Sequence, residues 1–202
     1  MSNYIVIKGQ KIELTEEQAE RIKAGLQEKD IRLGDAAAGD VVKVGEHEMI
    51  VLDHIDGATL LICKEFIDTC TFGTSNNYDG SNADKACIEF ATAIAKIAGE
   101  DNVILHEVDL TSDDGLKDYG SVKRFASLLT ADLYRKYVYI LDKHKPDDWW
   151  WLATAFSTPV HDDDHWVKCV SPSGYFYYDR FSDYDYGVRP FCILKSDIFV
   201  SN

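Results

Sequence analysis

Two His four residues apart, with three carboxylates between them, give His161-Asp162-Asp163-Asp164-His165 the strongest metal-ligating look in the chain. On a helix, residues four apart share a face, and two imidazoles there can hold one divalent ion beside a carboxylate. Here Pro159 precedes the run and the strand-like Trp166-Val167-Lys168-Cys169-Val170 follows it. Three successive Asp are also what a solvated loop carries, so the run is expected to be a loop and not a metal centre. Asp179, Asp183 and Asp185 offer carboxylates for acid/base work, but a loop of Tyr, Ser and Asp would hold them loosely. Ser171-Pro172-Ser173-Gly174 lacks the Gly-x-Ser-x-Gly spacing of a nucleophile elbow and reads as a hairpin turn. Asp109, Asp113, Asp114 and Asp118 lack the EF-hand spacing and its terminal Glu, and read as turn residues. No Gly-rich phosphate loop is present. The residues therefore assign no catalytic group, no metal ligand and no cofactor.

The stretch Tyr175 to Tyr186 is built almost wholly from Tyr, Phe, Asp and Ser, plus Arg180. Tyr gives rigid, amphipathic contact area at low entropic cost, which is why binding loops use it. Tyr175-Phe176-Tyr177-Tyr178 would place aromatics on both faces of any strand, so an irregular surface is expected. The competing reading is a Tyr-rich hairpin packed on its own domain. If the tyrosines were core, Asp179, Asp183 and Asp185 would carry charge inward at high cost. Changing Tyr177, Tyr178, Tyr184 and Tyr186 to Ser is thus expected to leave the fold intact.

The elements that must hold this stretch lie on both sides of it. Trp149-Trp150-Trp151-Leu152 reads as a strand with Trp149 and Trp151 on one face and Trp150 on the other. Large rings on both faces predict a central strand. Gly187-Val188-Arg189-Pro190 and Phe191 to Leu194 read as the closing strand. Toward the N-terminus, Tyr4 to Leu14 reads as a hairpin turning at Lys8-Gly9-Gln10. Thr15 and Gln18 form a capping box opening a helix with Ala19, Ile22 and Leu26 on one face, ending near Glu28. A linker is expected around Asp30 to Asp40. Val41 to Cys63 reads as antiparallel strands with a turn at Asp56-Gly57, which leaves His47 and His54 as ordinary strand residues. After a polar loop, a helix runs from about Ala83 to Ala98, with Asn82 as N-cap and Gly99 as C-cap. Ile88, Ala91, Ala95 and Ala98 form its small face, and Phe90, Ile94 and Ile97 its bulky one. Val103 to Val108 reads as a strand, and Thr130 opens a second helix. Helices between runs of antiparallel strands make an α+β chain.

A net charge of −14 over 202 residues excludes nucleic acid, whose phosphates a binder must neutralise with Lys and Arg. It equally disfavours an anionic membrane surface. No stretch approaches the roughly 18 apolar residues of a membrane span. Met1-Ser2-Asn3-Tyr4 does not begin a secretory signal, so the chain is expected in the cytoplasm as synthesised. Its five cysteines, an odd number without a CxxC pair, are expected to be reduced and structural.

The ordered set of Trp149-Trp150-Trp151-Leu152-Ala153-Thr154-Ala155-Phe156-Ser157-Thr158-Pro159, then Trp166 to Gly174, then Gly187 to Ser196, resembles C-type-lectin-fold proteins of bacteria and phages. Within them it is most similar to the variable proteins of diversity-generating retroelements. Val44 to Phe66 looks like the opening strands of that domain. The resemblance covers residues 31–202 and implies a C-type-lectin-like domain over 30–202, preceded by a hairpin-helix unit over 1–29. In that family, adenine-directed mutagenesis acts on AAC or AAT codons, which never become Glu, Gln, Lys, Met or Trp. From Ala155 to Tyr186 only Trp166 and Lys168 are of those types, and every acid is Asp. The resemblance implies a non-enzymatic scaffold with a variable region at about 155–186 and a macromolecular ligand, with a protein expected. The ligand-contacting residues would be Phe156, His161, Asp163, Asp164, His165, Tyr175, Tyr177, Tyr178, Asp179, Arg180, Phe181, Asp183, Tyr184, Asp185 and Tyr186. The sugar motifs of calcium-dependent lectins and the catalytic Cys pair of formylglycine-generating enzymes are missing, so neither activity carries over. Two other classes remain open: a metal-dependent enzyme using His161 and His165, and a phage virion component that oligomerises through its N-terminal unit.

Overall fold

The structure, a computed structural model, describes residues 4–7, 10–19 and 30–201. β1 (Tyr4–Ile7) and β2 (Gln10–Glu13) form the expected hairpin, closing at the pair Ile7 and Gln10. The capping box is formed: Gln18 N–H donates to Thr15 Oγ1 (3.2 Å), and Thr15 N–H to Gln18 Oε1 (3.0 Å). A helical turn follows at residues 16–19. The expected Ile22/Leu26 face and the helix end near Glu28 lie outside the described residues.

The expected linker is instead part of the fold. β3 (Asp30–Arg32) pairs with β16 (Phe199–Ser201), and Leu33 directly after it is fully buried. Asp30-Ile31-Arg32 is too short to show a period of its own, so the partner strand is what makes it a strand. β4 (Val41–Val44), β5 (His47–Ile55) and β6 (Ala58–Cys63) continue the sheet. β5 and β6 are joined by Asp56 and Gly57 at φ 50° and 79°, the left-handed pair that a two-residue turn with the strands' own twist requires. With β10 (Ala126–Ser127) and β15 (Phe191–Lys195), the sheet has seven strands in the order β10-β15-β6-β5-β4-β16-β3.

A second sheet holds five strands. They are β7 (Asp68–Cys70), β11 (Trp150–Ala155), β12 (Trp166–Val170), β13 (Phe176–Arg180) and β14 (Tyr186–Val188), ordered β13-β12-β11-β14-β7. Trp150 lies beside Gly187 in the one parallel pairing, β11 with β14, among the described strands. β8 (His106–Asp109) and β9 (Ser121–Arg124) make a separate ribbon. The two helices of the main unit are α1 (Asn82–Ala98) and α2 (Ala131–Leu141). The cap of α1 is Ser81, one residue before Asn82, because its hydroxyl is the group that accepts Asp84 N–H. Thr130 caps α2 as expected, and Gly99 ends α1. The strand expected at Val103 begins at His106, and Val103 makes only a single bridge to Leu194. Phe90, Ala91 and Ile94 face the core, but Ile88 and Ile97 are about half exposed, so the buried stripe of α1 is narrower than its apolar spacing suggests.

β11 is the middle strand of its sheet, as expected, and every residue in it is buried, but it begins at Trp150; Trp149 lies just before it and is half-buried. Trp150 and Leu152 meet Ile50, Leu52, Leu60 and Ile62 of the seven-stranded sheet, with Tyr134, Tyr137 and Leu141 of α2 filling the same layer. Trp151 and Ala153 point the other way, to Phe72, Tyr78 and Cys87. Arg189 is fully buried, donating from Nε to Cys63 C=O (2.7 Å) and from Nη2 to His144 C=O (3.0 Å), with its guanidinium 5.2 Å from the Trp150 ring centre. Gly187 admits no side chain, since a Cβ there would lie 2.5 Å from the Phe66 ring. All five cysteines are free, and burial pushes the Cys70 and Cys169 thiols up to about 11 and about 12, which keeps them unreactive. No helix among the described residues is long and apolar enough to cross a membrane.

Because the seven-stranded sheet starts at Asp30, deleting residues 1–28 should leave a protein that melts cooperatively by calorimetry. A molten or insoluble product would place the Ile22/Leu26 face in the main core instead.

Candidate functional site: an aromatic band around an edge strand

The site begins with a hairpin. β12 and β13 are joined by Ser171-Pro172-Ser173-Gly174, closed by Ser171 N–H to Tyr175 C=O (3.0 Å) and Tyr175 N–H to Ser171 Oγ (3.1 Å). From there Val170 pairs with Phe176 and, without a bulge, Trp166 with Arg180. This corrects the irregular surface expected for Tyr175 to Tyr186: its first half is a regular edge strand. Aromatics on both faces are tolerated because each face of an edge strand is only partly covered. On one side, Phe176 stacks on Tyr134 of α2 at 5.7 Å and under the Arg135 guanidinium at 4.7 Å. On the other side, Tyr177 meets Trp149 edge-on at 5.7 Å.

After Arg180 the chain crosses to β14, on the far side of β11, through residues 181–185. Tyr186 lands between two tryptophans, 4.6 Å from Trp151 and stacked on Trp149 at 5.6 Å. Its hydroxyl donates to Asp179 Oδ2 at 2.8 Å. The result is an unbroken sequence of ring contacts around the edge of the sheet. Phe156 meets Tyr178 (4.7 Å), Tyr178 stacks on Tyr177 (5.6 Å), Tyr177 meets Trp149, Trp149 stacks on Tyr186, and Tyr186 stacks on Tyr184 (5.6 Å). Trp166 adds an edge to Tyr178 at 5.7 Å and lies under Arg180 at 5.2 Å. Tyr177, Tyr178 and Tyr184 are 54%, 41% and 52% exposed, so solvent sees much of each ring. Tyr186 is half-buried and shares the Trp151 cluster, which corrects its place among the freely replaceable tyrosines.

A buried cation holds the band from below. Lys168 Nζ lies 4.1 Å from the Phe176 centroid and 5.5 Å from that of Tyr178, and 3.2 Å from Asp113, which also receives Arg135 at 2.6 Å. Ring faces attract an ammonium most where water is excluded, and Lys168 is 5% exposed.

Phe156 leads into the His-Asp run. A short 3-10 turn over Pro159–His161 ends at Asp162 in the left-handed region (φ 54°), so no helix brings the two histidines onto one face. His161 Nδ1 hydrogen-bonds Asp114 (2.9 Å), while His165 contacts Asp164 (3.1 Å) and stacks on Phe181 at 6.4 Å. Among the described residues no group of three His, Cys, Asp or Glu could hold a metal ion. Asp163 and Asp164 are half-buried in this loop; Asp183, which accepts from Ser182 Oγ, and Asp185 are exposed beside the band, as is Tyr175. The structure thus joins Phe156 with Tyr177, Tyr178, Tyr184 and Tyr186, and sets His161 apart on Asp114. Trp149, Trp166, Phe176 and Lys168 belong to the band as well. For two of them the signal was pairing: Trp166 lies opposite Arg180 and Lys168 opposite Tyr178 once β12 and β13 are in register.

Asp114 ties the loop down. Partial burial raises its carboxyl, yet donation from Ser112, Ser157 and His161 outweighs this and holds it at about 2. Its folded value is depressed, so its stabilisation is full above the unfolded value of about 3.9 and is lost as pH falls through about 2. Asp114→Asn should therefore shrink the drop in urea midpoint between pH 5 and pH 2.5. An equal drop in both proteins would remove Asp114 as a source of acid sensitivity.

No protein-family model, no curated protein and no solved structure matches the chain.

Proposed function

We propose that the chain is a non-enzymatic ligand-binding protein of the C-type-lectin-like class, presenting a diversified surface to a macromolecular ligand. One observation carries this reading: the continuous, half-exposed aromatic band from Phe156 to Tyr184, seated on a rigid Trp strand. Monomeric surfaces rarely expose large contiguous apolar patches without a partner. Tyr and Trp are the anchors of binding hot spots, and a preorganised support lowers the ordering cost of association. The members that interrupt the Tyr/Phe/Asp/Ser vocabulary, Trp149, Trp166 and Lys168, are more buried than the exposed tyrosines, as fixed scaffold beneath a variable skin would be. Asp side chains around the rings favour a ligand carrying positive charge, and the net charge of −14 disfavours nucleic acid.

The encoding DNA tests the diversified part of this reading. A nearby near-copy of codons 155–186, differing only where the copy has adenines, is the expected result. A locus without such a copy, or with differences spread over Trp149 to Leu152 as well, would remove the diversification and leave a fixed binding surface.

A further inference from the structure

We infer that the outer edge of β13 receives an extended, basic peptide segment of the ligand as an added β-strand. This rests on the reading of the band as a ligand surface and names how the ligand lies on it.

Hydrogen-bonding direction alternates along an antiparallel strand. Tyr175 C=O accepts from Ser171 N–H at 3.0 Å, and Phe181 N–H donates to His165 C=O at 3.2 Å. Residues 175, 177, 179 and 181 therefore face inward, toward β12 and the chain leading into it. Phe176, Tyr178 and Arg180 face outward. Arg180 N–H is taken by Asp179 Oδ1 at 2.8 Å. Arg180 C=O in turn accepts from Asp183 N–H at 3.5 Å. The outer row thus offers both backbone groups of Phe176 and Tyr178, and no described strand pairs with it.

Exposed edges invite pairing, and proteins blunt them with short strands, Pro, Lys or bulges. The other outer strands follow that rule in the simplest way: β10 has two residues, and β3 and β7 three each. β13 has five, pairs without a register shift, and contains neither Pro nor Lys. Asp179, Arg180 and Asp183 close the far end of the edge, and it stays open at Phe176 and Tyr178. An open edge flanked by half-exposed rings is the arrangement that strand addition uses: backbone bonds supply affinity, and alternate side chains supply specificity.

Charge chooses the occupant. An added strand would set alternate side chains beside Tyr177 and Asp179, which share the Trp149 face of β13, with Asp183 exposed just past Arg180. Arg fits both, stacking on rings and pairing with carboxylates. A second copy of the chain would bring a further −14 against the same acids, so self-pairing through β13 is disfavoured.

The test selects binders from a displayed library of short unstructured peptides, then remakes one binder with single backbone N-methyl groups. Methylating the alternate set of amides that faces the edge should weaken binding roughly tenfold or more, and methylating the other set should not. Tyr178→Pro removes an outward N–H from an edge position that Pro can occupy, and should bind at least about tenfold more weakly than Tyr178→Ser, which keeps the amide. If Tyr178→Pro does not fold, the methyl scan on the unaltered protein decides. Binders indifferent to either methyl set, yet lost on Tyr177→Ser, would overturn strand addition and leave the surface reading standing. A library without binders would also overturn strand addition, and the surface reading would then rest on the triple Tyr→Ser test with a folded ligand. A dimer in solution with slowed hydrogen exchange at the Phe176 and Tyr178 amides would replace the peptide by a second copy.

Discussion

Trp150→Ala should lower the unfolding free energy by about 3–5 kcal/mol, the range for truncating a buried aromatic. Trp150 is 1% exposed in the central strand of its sheet, with Tyr134 edge-on at 5.8 Å and Arg189 over its face at 5.2 Å. Removing the indole opens a void in the layer shared by both sheets and α2. It also strips the apolar support from a buried guanidinium whose hydrogen-bond partners include two backbone carbonyls but no carboxylate. Burial already pulls that guanidinium down to about 10. A loss of this size is a large fraction of the roughly 5–15 kcal/mol that holds a domain together. Urea denaturation of Trp150→Ala and Tyr139→Ala compares the extremes, since Tyr139 is 86% exposed and should change by less than about 0.5 kcal/mol. Equal effects would mean that β11 is not the keystone of the fold.

The second large effect is on binding. Tyr177→Ser, Tyr178→Ser and Tyr184→Ser together should weaken any ligand selected on the unaltered protein by about a hundredfold or more, because central aromatic anchors each carry about 2 kcal/mol or more. The same triple change should cost little stability, within roughly 0.5 kcal/mol per site for exposed positions. Tyr186→Ser is the contrast. Its ring is clasped by Trp149 and Trp151 and its hydroxyl is bonded to Asp179, so about 2 kcal/mol of stability should go with it, part of the cost of a fully buried ring. A triple variant that unfolds like Trp150→Ala would turn the band into core and end the binding proposal. One that stays folded and binds undiminished would end it too.

Much of the scaffold was written in local chemistry. Asp56-Gly57 can close a two-residue hairpin because Gly takes a left-handed φ freely and Asp tolerates one. Thr15 with Gln18, and Thr130, cap helices because a side-chain oxygen reaches the unpaired N–H groups of a first turn. Trp150 and Trp151, adjacent and so on opposite faces, can both be buried only on a strand with both faces covered. These are short-range or composition-level constraints, and the sequence by itself determined them.

The tertiary structure decided the rest. Asp30 to Ala36 carries no pattern, and β3 exists because β16 lies beside it. Tyr175-Phe176-Tyr177-Tyr178 breaks the alternation of a half-buried strand, yet pairs regularly because β13 is an edge whose faces meet Tyr134 and Arg135 on one side and Trp149 on the other. His161 and His165 are four apart, but the left-handed Asp162 ends the helical turn between them, and Asp114, 47 residues away, claims the first. Lys168 lies beneath rings supplied by β13, and no spacing rule foretells a cation there. In each case the deciding neighbour is distant in the chain, so register and packing determine the outcome and local propensity does not.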